Sequence, residues 1–277
     1  MLTILWNRNN LVGNKTCKDF VEKLVTGIGI ASEIPRNLRL KFAETAPVSL
    51  YDAGLYLDTV TDEQLKTAKK DAEELGAKYV MISVGYCCDM GKDESPYLQK
   101  LLVIKEFMAE NGMELWITNR RPYIEGECVS GEKLLRLSLN ADVKIAHDIG
   151  SSHAHLHAME NYYDWKSQTA ALLLNDNLGA HAKLPIGHYW YNPLSKIDIM
   201  QQPGWGSAPF VQIFADVKKN MPDIPLYFNG LRHLNCSLET VWEETQALMD
   251  NRVYISPGGA VFGKNEQNRL IIKTLDM

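Results

Sequence analysis

The sequence predicts an α/β protein folded as one (β/α)8 barrel, irregular in its first third and carrying a short C-terminal extension. Three observations predict it. Short apolar runs alternate with longer segments of helical period, the pattern of βα units around a parallel sheet. Eight strand-like runs can be counted, the number that closes such a barrel. The 277 residues match the roughly 250 a barrel of this kind uses, and no internal repeat or Pro/Ser-rich linker cuts the chain. Residues 1–277 are therefore read as a single barrel domain, with 253–277 as the extension. A doubly wound open sheet is the alternative, weakened because no Gly-x-Gly-x-x-Gly follows an early strand.

The first strands are weakly marked: Leu2–Trp6, Ile28–Ile34 and Leu38–Ala43. Between the last two, Pro35-Arg-Asn37 is too short for a helix, so the first third departs from the ideal barrel. The clearest unit opens at Thr61-Asp-Glu-Gln64, a capping box that satisfies free N–H groups at a helix start. Leu65, Ala68, Ala72 and Leu75 mark its apolar face, Gly76 ends it in the left-handed conformation, and the buried strand Lys78–Val84 follows. A helix near 97–111 then leads into the strand Met113–Asn119, and one near 131–140 into Val143–Asp148. A helix around Asp164–Leu174 is expected to lead into a strand at Gly179–Leu184. A helix near Phe210–Lys219 leads into Pro225–Asn229, and the last helix runs from Ser237 as N-cap to about Asp250. Gly150–Tyr163 and Pro185–Pro209 read as long loops at the working end.

Composition narrows the class. An apolar fraction of 45% and a charged fraction of 23% are those of a globular protein. The net charge of −5 and the lack of a basic cluster argue against nucleic acid as a partner. Five cysteines, Cys17, Cys87, Cys88, Cys128 and Cys236, form no Cys-x-x-Cys and read as reduced thiols of a cytoplasmic protein. The first residues are too short an apolar run for a signal peptide, and no window approaches the ~20 apolar residues that cross a bilayer. No membrane partner is expected.

In a barrel of this kind the chemistry lies at the C-terminal ends of the strands. Those ends carry Asn119, Asp148, His181 and Asn229, with Glu33 and Glu44 as contributors from the early strands. Asp148 and His181 read as the ends of adjacent strands, where they can bind a divalent metal, act as an acid–base pair, or simply hydrogen-bond to each other. His153, His155 and His157 alternate; one loop histidine reaching the mouth, His153, is favoured over a tri-histidine site. Tyr162-Tyr163-Asp-Trp165, His188-Tyr-Trp190-Tyr191 and Trp205 gather aromatic rings on two loops, which suits a sugar or polyol ligand or a homo-oligomer interface equally. Cys87 and Cys88 have no histidine nearby in sequence to activate them.

The order of segments over about residues 61–250 resembles the xylose-isomerase-like TIM barrels, which include sugar isomerases, ketose 3-epimerases and inosose dehydratases. The carriers are Leu75-Gly-Ala-Lys-Tyr-Val80, Ala146-His-Asp148-Ile-Gly150, Ala180-His181-Ala-Lys183, similar to the family's His-x-Lys strand, and Pro203-Gly-Trp-Gly206, similar to its Pro-Gly-x-Gly turn. The resemblance implies a divalent metal (Mn, Zn, Co or Mg) held by a Glu, an Asp, a His and a second Glu, the two Glu residues moving the proton beside a carbonyl. Here the Asp and His positions are Asp148 and His181, the first Glu falls on Asn119 or Thr118, and the second on Asn229. An amide oxygen can ligate a hard cation but carries no charge and exchanges no proton. The metal set is thus Asp148, His181 and Asn229. Lys183, His153 and Glu33 are the acid–base candidates, and Asn119, Arg120, His188, Trp190 and Trp205 are assigned to substrate; Glu125 or Glu127 reaching in from a loop is the other option. Two readings stay open: a divergent sugar or polyol isomerase/epimerase or related lyase, or a non-catalytic sugar-binding barrel or complex subunit.

Overall fold

The computed structural model describes residues 2–7, 27–89, 91–120, 129–177, 179, 202–204, 206–230, 238–252, 254–255, 260–264 and 270–274. Eight apolar runs pair in chain order to close a barrel: β1 (Leu2–Trp6), β2 (Ile28–Ala31), β3 (Val48–Tyr56), β4 (Tyr79–Ser83), β5 (Glu114–Thr118), β6 (Lys144–Asp148), β7 (Thr169–Leu174) and β8 (Leu226–Phe228). Every neighbouring pair is parallel, and β8 closes the ring on β1 with Thr3 opposite Tyr227.

Successive side chains in a strand point to opposite faces, so each strand feeds two cores. Leu5, Leu50, Met81, Trp116, Ala146, Leu173 and Tyr227 fill the barrel interior as one packed group. The alternate positions, among them Ile4, Ile28, Val80, Ile82, Leu115, Ile117 and Ile145, pack outward against the helices. The helices lie between the strands in sequence: α1 (Arg36–Ala43), α2 (Asp62–Leu75), α3 (Ser95–Ala109), α4 (Gly131–Ala141), α5 (Ile149–His153), α6 (Ala158–Trp165), α7 (Phe210–Asn220) and α8 (Leu238–Met249). The capping box at α2 forms as the sequence predicts: Gln64 N–H donates to Thr61 Oγ1 at 3.3 Å and Thr61 N–H to Gln64 Oε1 at 2.9 Å. Gly76 closes that helix at φ 65°, a conformation an L side chain resists.

Several sequence expectations are corrected. Leu38–Ala43 is not a strand but part of α1. Its Leu38, Leu40 and Phe42 alternate like strand residues, yet Pro35 stands at the N-cap position, and the helical path buries Arg39 against Asp71 (2.7 Å) and the Tyr51 hydroxyl (2.8 Å). The same helix stacks Phe42 on Trp6, with ring centres 4.9 Å apart. The third strand is instead Val48–Tyr56, interrupted in sequence by Asp52 and Gly54. The expected helix at Asp164–Leu174 ends at Trp165, and Thr169–Leu174 is β7. Ala171–Leu174 are fully buried, as a strand covered on both faces requires. Because β7 pairs directly with β8, the barrel closes without Gly179–Leu184, of which 180–184 lie outside the described residues. Gly150–Tyr163 is largely helical, forming α5 and most of α6.

Beyond α8, β9 (Tyr254–Ile255), β10 (Ala260–Lys264) and β11 (Leu270–Thr274) form a separate antiparallel sheet with β10 central. No helix among the described residues is long and apolar enough to cross a membrane.

Candidate functional site

The interior face of each strand, continued two residues at a time, leads from apolar core to polar mouth. Leu5 is followed by Asn7, Leu50 by Asp52, Met81 by Ser83, Trp116 by Thr118 and then Arg120, Ala146 by Asp148, Leu173 by Asn175, and Tyr227 by Asn229. Pleat geometry alone therefore aims these side chains into the C-terminal opening, where barrel catalysts sit.

At the centre lies Arg120. Its Nε donates to Asp148 Oδ2 at 2.7 Å, and its Nη1 forms an ion pair with Asp52 Oδ2. The side chains of Arg120, Asp52 and Asp148 are only 19%, 7% and 1% exposed. Burial disfavours charge on the guanidinium, but the two carboxylates outweigh it and hold its pKa above the ordinary arginine value. Asp148 Oδ1 accepts from Ser151 N–H (2.9 Å) and Asn175 Nδ2 (2.8 Å), and Asp52 Oδ1 from Gly54 N–H (3.1 Å). Asn7 Nδ2 donates to Asn229 Oδ1 at 2.7 Å, while Asn229 Nδ2 reaches toward Asp148 Oδ2 at 3.4 Å. On the arginine, the buried Nη2 has no hydrogen-bond partner among the described residues. Arg120 helps line a cavity of about 350 Å3, together with Asn7, Asp52, Ser83 and Asn229 from the strand ends and Ser32, Glu33 and Tyr56 at the rim. Burial, followed by the nearby Asp52 charge, raises the Tyr56 pKa and keeps its phenol protonated.

The end of β7 anchors the next loop. Asp176 accepts backbone N–H groups from Asn177 (2.8 Å), Gly204 (2.9 Å), Gly206 (3.0 Å) and Ala208 (2.9 Å). Burial pushes this carboxyl up to about 7, against the four amides that favour its charged form. A Cβ at Gly206 would come within 2.2 Å of the Asn177 carbonyl, so the turn containing Pro203 and Gly204 requires glycine at 206.

The sequence candidates divide by strand parity. Asn229, Arg120 and Glu33 line the cavity, and Asp148 bonds the first two of them. Asn119 has the outward parity: its amide bonds the backbone N–H (2.8 Å) and carbonyl (3.0 Å) of Asp148 and the Ser152 hydroxyl (3.1 Å). His153 ends α5 buried, with Nε2 2.8 Å from Ser207 Oγ, and burial lowers its pKa to about 4. His157 pairs instead with Glu160 at 2.7 Å. The strand beside Asp148 is β7, which ends at Leu174 and is followed by Asn175. His181, Lys183, His188, Trp190 and Trp205 lie outside the described residues, as do Glu125 and Glu127. Cys87 and Cys88 are buried with their sulfurs 3.7 Å apart; the hydrogen bond to Cys88, then burial, pushes the Cys87 thiol up. Asp52, Asn7, Ser83, Tyr56 and Asn175 were not among the candidates, although counting by twos from Leu5, Met81 and Leu173 reaches three of them.

A divalent ion does not fit the described donors. No group of three or more His, Cys, Asp or Glu side chains converges among the described residues. Both Asp148 oxygens are engaged, one of them by a guanidinium, and an arginine that cannot deprotonate repels a second cation at that spot.

No protein-family model matches the sequence, and no curated protein does either. Solved structures do share its architecture. A xylose isomerase domain protein from Planctomyces limnophilus superposes with a TM-score of 0.64 at 11% identity, over 89% of this chain and 95% of that one. The 3-keto-D-glucoside 4-epimerase of E. coli gives 0.62 at 12% identity, over 90% and 98%. A probable 3-DHS dehydratase of Bacillus anthracis, involved in petrobactin synthesis, gives 0.61 at 13%, over 89% and 98%. At such identities the likeness establishes the architecture: this chain has the fold of the xylose isomerase-like TIM barrels.

Proposed function

We propose that the chain is a sugar- or polyol-directed enzyme of the isomerase/epimerase kind, working at the C-terminal mouth of the barrel. The observation that carries this reading is the cavity of about 350 Å3, of small-molecule size and offering hydroxyl, amide, carboxylate and guanidinium groups beside apolar surface. Such a wall suits a ligand dense in hydroxyls, since each buried polar group then finds a partner. A 3-keto-D-glucoside 4-epimerase and a probable 3-DHS dehydratase among the solved structures of this fold support the same class.

The reaction assigned to these groups is proton transfer at carbon next to a carbonyl. Glu33, at the rim, takes the proton as carboxylate; the C–H electron pair moves into a C=C bond and charge develops on the carbonyl oxygen. Tyr56, kept protonated, donates to the substrate from the same cavity. Reprotonation of the other carbon, or of the other face, completes an isomerisation or epimerisation. A non-catalytic sugar-binding barrel is the second reading, favoured by amides at three inward strand ends, Asn7, Asn175 and Asn229, which exchange no proton at neutral pH.

Incubation of the full chain with a panel of ketoses and keto-inositols in D2O, followed by proton NMR, tests both. Loss of the signal of the hydrogen beside the carbonyl is expected, and Glu33→Gln should slow it on the order of 100-fold or more, the scale of general-base catalysis. Saturation-transfer binding without exchange would establish the second reading. Neither binding nor exchange across the panel would refute the sugar assignment.

A further inference from the structure

We propose that the Arg120 guanidinium is the resident cation of this site, so that the mouth works without a metal ion and receives the carbonyl oxygen of a neutral ketose or keto-polyol on Nη2. The substrate half deepens the reading above and rests on it; the cation half stands on the ion network alone.

Three features of the network carry it. First, Arg120 consumes the mouth-facing oxygens of two buried carboxylates, Asp148 Oδ2 at 2.7 Å and Asp52 Oδ2. Their other oxygens are taken by Ser151 N–H, Asn175 Nδ2 and Gly54 N–H. An incoming ion would have to displace a group that is charged at every working pH. Second, the guanidinium is held on two of its three nitrogens and leaves the third, buried Nη2 without a partner among the described residues, on a side chain that lines the cavity. A buried donor left unpaired is costly, and a ligand oxygen supplies the missing acceptor. Third, one guanidinium set against two carboxylates leaves the trio net negative. A carboxylate or phosphate on the ligand would meet that charge, whereas a neutral carbonyl accepts from Nη2 without it.

The chemistry balances with nothing added. As Glu33 removes the proton beside the carbonyl, the carbonyl π pair moves onto oxygen, and Nη2–H meets the negative charge where it forms. The charge returns to carbon on reprotonation, and no oxidant or reductant takes part.

The test uses the full chain, purified without a metal-affinity tag and dialysed against EDTA. Mn2+ alone is titrated in and free Mn2+ is followed by electron paramagnetic resonance. Wild type should leave the ion free, and Arg120→Ala, checked for folding by circular dichroism, should take it up on the released carboxylates. Stoichiometric uptake by wild type that Asp148→Asn abolishes would overturn the cation assignment without any folded Arg120 variant being needed. Saturation-transfer NMR with D-fructose, a keto-inositol and 2-keto-D-gluconate reads the ligand half. Signals from the neutral compounds, weakened about 10- to 100-fold in Arg120→Met, are expected. Preference for the carboxylated compound would overturn the neutral class. Silence from all three in a wild type that also ignores Mn2+ would refute the sugar reading while leaving the cation in place.

Discussion

Removing Arg120 should destabilise the barrel mainly through the charges it leaves behind. Asp148 is 1% exposed and Asp52 7%, so in Arg120→Ala two carboxylates lose their counter-ion where water reaches them poorly. Breaking a buried ion pair from one side costs about 3–5 kcal/mol. At about 2–4 °C per kcal/mol for a domain of this size, the melting temperature should fall on the order of 6–20 °C. The cost is not a property of Arg120 alone. In an Asp148→Asn background one stranded charge is already gone, and the Asn229 and Asn175 amides that face Asp148 can meet a neutral amide in its place. Arg120→Ala should then cost about 2 kcal/mol less than in wild type, a coupling within the range measured for close charge pairs. Urea unfolding of wild type, both single variants and the double variant at pH 7 closes the cycle. Costs that add to within about 0.5 kcal/mol, the behaviour of independent sites, would refute a charge network at the mouth and reduce Arg120 to a packing residue.

Two further outcomes follow from buried groups beside the site. Burial lowers the His153 pKa to about 4 and the His147 pKa to about 3, below the unfolded value of about 6.5. Both are neutral in the fold and bind protons more readily when unfolded, so their contribution to stability is complete above about pH 6.5 and is lost as pH falls toward 4. For His153 the loss is on the order of 3 kcal/mol; the stability difference between wild type and His153→Asn, measured by urea unfolding, should shrink by that order between pH 7 and 4, and a constant difference would contradict its burial as a neutral base. A Cβ added at Gly150 would fall 1.7 Å from Asn175 Oδ1 and 2.9 Å from the Asn175 carbonyl oxygen. Gly150→Ala should therefore push Asn175 off Asp148 and cost about 1–3 kcal/mol, as overpacking does; an unchanged denaturation midpoint would show that the β7 end yields freely.

How far the sequence discloses this molecule depends on whether the relevant signal is local. The α2 capping box and the strands at 79–83, 114–118 and 144–148 are written in adjacent residues, and there pattern and structure agree. Residues 38–42 carry a period-two pattern that fits a strand as well as it fits half a helix. What decides is Arg39, whose partners Tyr51 and Asp71 stand 12 and 32 residues away. Thr169–Leu174 fails for the complementary reason: a run of small and branched apolar residues has no period, and helix and buried strand look alike in it. Losing β7 displaced the expected Asp148 partner to His181 and hid Asn175. Losing β3 hid Asp52, whose only sign in the sequence is a charge in the middle of an apolar run. Its meaning comes from Arg120, 68 residues on. Asn119 shows that even a correct strand needs its parity: counted from the inward Trp116, the residues that reach the mouth are 118 and 120, and 119 faces the helices.

The amides and the arginine at the mouth are parts of one charge balance. A doubly charged ion in this barrel calls for several carboxylates, which the resemblance in the sequence places at successive strand ends. A singly charged guanidinium fixed in the wall is more than neutralised by two, and each further carboxylate at the mouth would add buried repulsion with no partner. On the proposal that Arg120 is the resident cation, neutral residues at the ends of β1, β7 and β8 are what electrostatics requires. Asn7, Asn175 and Asn229 meet that requirement and still supply donors, to Asn229, to Asp148 and toward Asp148 respectively. Read singly, each asparagine looks like a lost acid; read with Arg120, they are the polar, uncharged lining that such a cation permits. On the same proposal the acid–base work falls to groups at the rim, and Glu33 is the carboxylate that lines the cavity there.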